Sequence, residues 1–293
     1  MKRVTAFLAL ASVLSGTNAY WKGFNIKSYQ ADGTTCKTAS DWANAFHTLT
    51  TLPNKINSAR LYYSSACDTL TNAVPAAISA GLFLLVGVNP ESQFEEEKAA
   101  LQAAVQRHGW DWIVSVSVGS EDLYRGTTNA TTLARQINEV RDVLSSISGY
   151  SPSIKVGHVD TTNAWTNRSN AAVIQACDFV GTDIYPYFQD LQNNSIENAD
   201  DLFWNGVKEV REAVADAGRD TSVWVTESGW PVNGTTKNLA VADTKNAKSY
   251  WKSTACSAFQ QINVFWFTLQ DWSAYPSFAV LDPDSNWEFD LSC

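Results

Sequence analysis

Eight short apolar, β-branched runs recur along the 293-residue chain, separated by stretches with helical periodicity, and this alternation constrains the fold more than any single motif. The runs are GFNI (23–26), SARLYY (58–63), LFLLVGV (82–88), WIVSVSVG (112–119), IKVGHVD (154–160), DFVGTDIY (178–185), SVWVTE (222–227) and NVFWFTL (263–269). Between them lie helix candidates such as SDWANAFHTLT, SQFEEEKAALQAAVQRHG and ADDLFWNGVKEVREAVADAG, several opening on Ser, Thr or Asp, as N-caps require. Apolar strands alternating with amphipathic helices imply a parallel sheet covered by helices. Eight such units, without a Gly/Ser/Pro linker, predict one α/β domain, a single closed (β/α)8 barrel. The alternative, a doubly wound open sheet, would carry a Gly-rich phosphate turn after its first strand, and NIKSYQADG is no such turn.

In a barrel, active sites sit at the C-terminal ends of the strands. There stand Tyr62 and Tyr63 after strand two, GSEDLYR after four, Asp160 after five, DIYPYF after six, ESGWP after seven and LQDW after eight. A carboxylate closing a buried strand, as Glu227 closes SVWVTE, is costly unless it is paired or used. The partner expected for it is Glu121, at the end of strand four. Strands four and seven end across the mouth from each other, although 106 residues separate the two glutamates in sequence. Two carboxyls across a cleft, with no Ser–His pair, suit glycoside cleavage: one protonates the departing oxygen while the other attacks the sugar carbon.

WVTESGWP resembles the signature of glycoside hydrolase family 17, the β-1,3-glucan-active barrels, and VSVGSEDLYR resembles the acid/base segment of its fungal members. GFNIKSYQADGTTCKTASDW, SACDTL, SNAAVIQACDF, YPYF and FDLSC extend the likeness through most of the chain. The resemblance implies a retaining mechanism with Glu227 as nucleophile and Glu121 as general acid/base, and it implies that Tyr185 and Trp230 border the sugar at the cleavage point. The sequence departs from the family where relatives carry Asn before the acid/base, since Ser120 stands here, and where plant members often have Asn, since Asp183 stands here. Tyr62, Ser120, Asp183 and Tyr185 are thus candidate substrate contacts. Tyr63, Trp230, Trp266, Trp272 and Tyr275 are candidate platforms for glucose rings, with core packing as the competing role of each. Whether water or a second glucan accepts the glycosyl group, and so whether hydrolysis or transfer dominates, stays open, as does a catalytically silent glucan-binding barrel.

The chain opens with MKRVTAFLALASVLSGTNA, a basic start, an apolar run and small residues, so 1–19 reads as a secretory signal and 20–293 as the catalytic barrel. No other apolar run approaches a membrane span, and no lipid-anchor tail is read at the C-terminus. Without Lys2 and Arg3, 19 basic residues face 30 acidic ones, a formal charge of −11 that disfavours nucleic acid and anionic membranes. Twelve Trp, ten Tyr and thirteen Phe instead suit a neutral polymer with flat apolar faces, such as a glucan. A secreted monomer without cofactor is the expectation. Three His and no CxxC argue against a metal site. Of five cysteines, Cys36 pairs most simply with Cys67 and Cys256 with Cys293, leaving Cys177 free in an apolar strand. Sequons at Asn129, Asn167, Asn193 and Asn233 are candidate glycosylation sites.

Overall fold

A computed structural model describes residues 20–271 and 274–293; the signal expected over 1–19 and the platform expected at Trp272 lie outside the described residues. All eight strands form: β1 (Lys22–Asn25), β2 (Ser58–Arg60), β3 (Phe83–Val88), β4 (Ile113–Val118), β5 (Lys155–Thr161), β6 (Phe179–Asp183), β7 (Ser222–Glu227) and β8 (Val264–Trp266). Each pairs in parallel with the next, and β8 returns to β1, with Lys22 opposite Val264 and Phe24 opposite Trp266. The sheet is a closed barrel in sequence order, which places the ends of β4 and β7 across the mouth from one another. Strands β2 and β8 are shorter than their apolar runs. Beyond Arg60 and Trp266 the chain leaves the ladder to shape the rim.

The main helices are α1 (Ala39–Thr51), α2 (Thr69–Ala80), α3 (Phe94–His108), the single turn α4 (Asp122–Arg125), α5 (Ala130–Ser145), α6 (Thr162–Thr166), α7 (Ala171–Ala176), α8 (Ala199–Asp216), α9 (Thr244–Tyr250) and α10 (Cys256–Ala258). Thr38 and Asp41 close a reciprocal capping box at the start of α1, and Asn129 caps α5 by accepting from the Thr132 amide; such caps contribute about 1 kcal/mol each. Leu133, Ile137, Val140 and Leu144 recur at helical spacing along α5 and are all buried. They join the large core between helices and strands, whereas Leu85, Val114, Phe179, Trp224 and Phe265 form a second, smaller cluster.

Disulfides join Cys36 to Cys67 and Cys256 to Cys293, and Cys177 is buried and free, its thiol pushed up to about 12 by burial. In the chain-entropy account, loops of this size contribute about 3 to 4 kcal/mol each. The first bridge ties the β1–α1 loop to the β2–α2 loop. The second holds the C-terminal chain against α10. The asparagines of all four sequons are exposed. Among the described residues, no helix is long and apolar enough to cross a membrane.

Candidate active site

Four strands end on a buried polar residue at the same rim: β1 on Asn25, β2 on Arg60, β6 on Asp183 and β7 on Glu227. All four are buried, at 0, 1, 4 and 7 % exposure, so their polar atoms must find one another. Arg60 Nη1 donates to Glu227 Oε1 at 2.6 Å and to Asn25 Oδ1 at 3.0 Å, and its Nη2 donates to Ser120 Oγ at 2.9 Å. Tyr62 donates its hydroxyl to the same Glu227 oxygen at 2.6 Å, while Tyr185 donates to Oε2 at 2.7 Å. Asn25 is itself fixed, its amide donating to the Thr226 and Phe265 carbonyls at 2.9 Å. Both oxygens of Glu227 are thus held by donors, as an acceptor-only carboxylate requires. Both tyrosines stay protonated. Burial, then the charge of Glu227, raises each phenol well above its usual value.

The buried partner of Glu227 is therefore Arg60, not Glu121 as the sequence reading had it. A charged residue inside the apolar run SARLYY was the available signal, because an unpaired guanidinium cannot be buried. Asn25 in GFNI carried the same signal.

Glu121 stands across the mouth on the same rim, in a left-handed conformation, φ 59°. Two contacts with β5 hold its loop: the Glu121 amide donates to the Val159 carbonyl at 2.8 Å, and the Leu123 amide donates to Asp160 Oδ2 at 2.9 Å. Gly119 makes the turn possible. Its φ is +79°, and a Cβ there would lie 2.0 Å from Asp122 Oδ2. Beneath the loop, fully buried His158 has Nδ1 2.6 Å from the Val118 carbonyl and Nε2 3.0 Å from Asp160 Oδ2. Both neighbours accept, so both ring nitrogens carry protons. Burial alone would lower the pKa of this imidazole, but Asp160 and Asp122 raise it instead.

The Glu121 carboxyl is pushed up to about 7, first by burial and then by the negative charges of Glu227 and Asp160. That value suits a proton donor near neutral pH. Asp183 forms the third carboxyl of the site. Its Oδ1 accepts from the Thr226 hydroxyl at 2.8 Å, its Oδ2 has no partner, and burial followed by the charge of Glu227 raises it well above the usual carboxyl range.

The remaining expected contacts divide. Tyr62 and Tyr185 are half-buried beside Glu227, Ser120 braces Arg60, half-buried Tyr63 follows Tyr62, and Tyr275 is 67 % exposed on the rim. Trp230 and Trp266, each 2 % exposed, cannot present a face to a sugar, which corrects the sequence reading. Trp230 donates to the Val241 carbonyl at 2.8 Å and packs on Tyr187 and Tyr250, and Trp266 packs on Tyr250 and Trp251. Their rings close the shell behind the β7 and β8 ends. Half-buried Phe267, edge-on to Tyr185 and under Lys27, is the aromatic that β8 leaves at the mouth.

Residues 23–280 match the BtgE/BtgC glycoside hydrolase domain family. The chain is 41 % identical over 315 residues to the Aspergillus fumigatus protein named "Probable glucan endo-1,3-beta-glucosidase eglC", covering 99 % of this chain and 69 % of that protein. It is 34 % identical over 295 residues to a glucan 1,3-β-glucosidase of Saccharomyces cerevisiae, covering 97 % of this chain and 92 % of that one. Among solved structures, an active-site mutant of Rhizomucor miehei β-1,3-glucanosyltransferase in complex with laminaritriose shares the fold, with a TM-score of 0.76 at 24 % identity over 91 % of this chain and 95 % of that chain.

Proposed function

The chain belongs to the BtgE/BtgC glycoside hydrolase family, and from that premise we propose that it cleaves β-1,3-glucan with retention, using Glu227 as nucleophile and Glu121 as general acid/base, and passes part of the glycosyl groups to a second glucan. The observation that carries this reading is the unequal treatment of two glutamates on opposite sides of the mouth. Arg60, Tyr62 and Tyr185 grip Glu227, whereas Glu121 is held protonated to about pH 7.

The geometry performs the reaction in two displacements. A Glu227 oxygen forms a bond to the anomeric carbon as the bond to the leaving sugar's oxygen breaks, and Glu121 delivers its proton to that oxygen. Esterification removes the charge of Glu227, and with it one of the two charges that kept Glu121 protonated. The acid thereby becomes a better base at the moment a base is needed. Glu121 then takes the proton of the incoming hydroxyl, whose oxygen attacks the anomeric carbon and frees Glu227. Water as acceptor gives hydrolysis, and a glucan hydroxyl gives a longer chain. Arg60 joins the two sides of the mouth through Glu227 and Ser120, so it sets the nucleophile's position relative to the acid/base loop.

The name of the Saccharomyces cerevisiae relative and the laminaritriose bound by the Rhizomucor miehei enzyme support the substrate class. Secretion through a signal at 1–19, a monomeric state, and glycans on the exposed Asn129, Asn167, Asn193 and Asn233 complete the proposal. Incubation with laminarin-type β-1,3-oligosaccharides, followed by proton NMR of fresh products, tests it. The β-anomer must appear first. First release of the α-anomer would overturn the nucleophile assignment, and no cleavage would overturn the substrate class.

A further inference from the structure

Outside the barrel mouth, a groove of about 850 Å³ runs between the outer face of α1 and the chain that follows β8. Leu269 and Gln270, just past the end of β8, are part of its lining, so the groove touches the chain that leaves the barrel on the side of the carboxylates. Asn44, Thr48 and Thr51 line one wall, spaced so that a single face of α1 presents them. Trp287 lines the other wall and is 40 % exposed.

The indole is displayed, not stranded. Leu281 and Trp287 pair as an antiparallel bridge, and Asp282 closes the turn between them, accepting from the Asn286 amide at 2.8 Å and, through its carbonyl, from Ser285 at 3.0 Å. The next amide, Glu288, donates to the Val280 carbonyl at 3.0 Å. The backbone that carries the ring is thus ordered before a ligand arrives, which lowers the cost of binding there.

The charged groups of the groove are already occupied. Asp41 accepts from the Thr38 amide and hydroxyl and from Gln30, Asp32 accepts from the Thr34 and Thr35 amides and the Thr35 hydroxyl, and the Lys37 ammonium donates to the Tyr29 carbonyl. These contacts tie the charged groups into the α1 cap and the turn before it. The uncharged lining comprises the Asn44 and Gln270 amides and the Thr48 and Thr51 hydroxyls, which donate to the Asn44 and Thr48 carbonyls and keep lone pairs open to accept, together with one apolar ring; this suits a neutral polyhydroxylated chain, while the two carboxylates disfavour a phosphate or an acidic peptide.

We propose that this groove is a second carbohydrate-binding site, in which a neutral β-glucan chain lies along α1 with one glucose face against Trp287; the choice of glucan as ligand rests on the proposed function. The site anchors polymer beside the catalytic rim without contributing a group to the chemistry. An enzyme so equipped holds an insoluble substrate between turnovers.

Native-gel retardation by soluble glucans tests the site. Glu227→Gln protein, which cannot digest the gel, is run with β-1,3-, β-1,6- or β-1,4-glucan, alone and combined with Trp287→Ala or Thr48→Arg. The second change fills the groove from an α1 position that tolerates a long side chain. The expected result is retardation of the parent in at least one gel, with affinity about threefold to tenfold weaker in both groove variants, the loss expected for one stacking contact. Thermal unfolding of each variant confirms that it is folded. Equal retardation of parent and both folded variants, or no retardation of the parent in any gel, overturns the proposal. Turnover of β-1,3-oligosaccharides by the unmodified protein reads the proposed function separately: cleavage with undiminished retardation in the groove variants sinks the second site alone.

Discussion

Replacing Arg60 by Met removes the one cation that, among the described residues, pairs with the buried Glu227 carboxylate, and the contacts set the cost. Arg60 is 1 % exposed and Glu227 7 %, so water cannot take over the lost partner. Breaking a buried pair from one side costs about 3 to 5 kcal/mol, most of it from the uncompensated charge left behind. Asn25 Oδ1 and Ser120 Oγ each lose a donor as well; half-exposed Ser120 is open to water, whereas Asn25 Oδ1 is left with the Tyr62 hydroxyl 3.1 Å away, whose proton already goes to Glu227, so Asn25 adds to the cost within that range. A loss of about 4 kcal/mol at pH 7 is expected, read by urea unfolding followed by tryptophan fluorescence. The diagnostic step is the double variant. Adding Glu227→Gln removes the stranded charge, so Arg60→Met/Glu227→Gln should be more stable than Arg60→Met alone, with a coupling of about 2 to 3 kcal/mol across the cycle. A cost below about 1 kcal/mol for Arg60→Met, or a double variant no more stable than the single one, would refute the reasoning that Glu227 depends on this cation.

Glu227→Ala should abolish turnover of every substrate, whereas Glu121→Ala should retain turnover of substrates with good leaving groups and be rescued by azide; equal, unrescued loss in both folded variants would remove the role assignment. Because the Glu121 carboxyl lies near 7, cleavage of oligosaccharides should fall as pH rises through about 7, and an alkaline limb with an unrelated midpoint would place the proton elsewhere. The same raised value means that the folded chain holds this proton more tightly than the unfolded chain, with its usual value of 4.5. The resulting stability is present below about pH 4.5 and lost as pH rises through about 7. Glu121→Gln should flatten the pH dependence of stability over that window by up to about 3 kcal/mol, measured by urea titrations at several pH values. Products longer than the substrate should appear as oligosaccharide concentration rises, resolved by chain-length analysis, because a well-oriented acceptor can outcompete water through effective molarities of about 10⁵ M or more; purely shorter products at every concentration would leave a simple hydrolase.

The barrel was legible because its signal is repeated. Eight apolar runs at regular spacing leave few ways to bury every face, and each run became a strand. The two glutamates were legible for a related reason: once the strands are ordered, their ends are ordered too. The errors concern what surrounds those ends. A tryptophan in ESGWP or NVFWFTL reads the same whether it faces a sugar or the back of the barrel wall, and only the shell formed with Tyr187, Tyr250 and Trp251 decides it. Arg60 was passed over because strand periodicity was read for its apolar members. In a parallel barrel the polar interruption is the informative residue, since it must be answered by another strand end.

That answer also accounts for the division of labour proposed for the two carboxylates. Glu227 closes β7 just past a register shift against β6, where Thr182 pairs with Val225 and Asp183 with Glu227, and is clamped at both oxygens from β2, the residue Tyr62 beyond it, and the segment after β6, so its position is fixed before substrate arrives. Glu121 lies one step past β4, in a left-handed turn pinned through its backbone to β5, and among the described residues its carboxyl accepts no hydrogen bond. A nucleophile gains from rigidity because it must meet one carbon along one line. An acid/base must give a proton to one oxygen and take it from another, so a fixed backbone with an unclamped carboxyl serves it better. Clamping Glu121 as tightly as Glu227 would hold it in one protonation state, because every donor aimed at it would favour the anion over the acid that the first step requires. The buried imidazolium of His158 answers this constraint by acting one layer down: it secures the loop through Asp160, which receives the Leu123 amide, and leaves the Glu121 carboxyl free to exchange its proton.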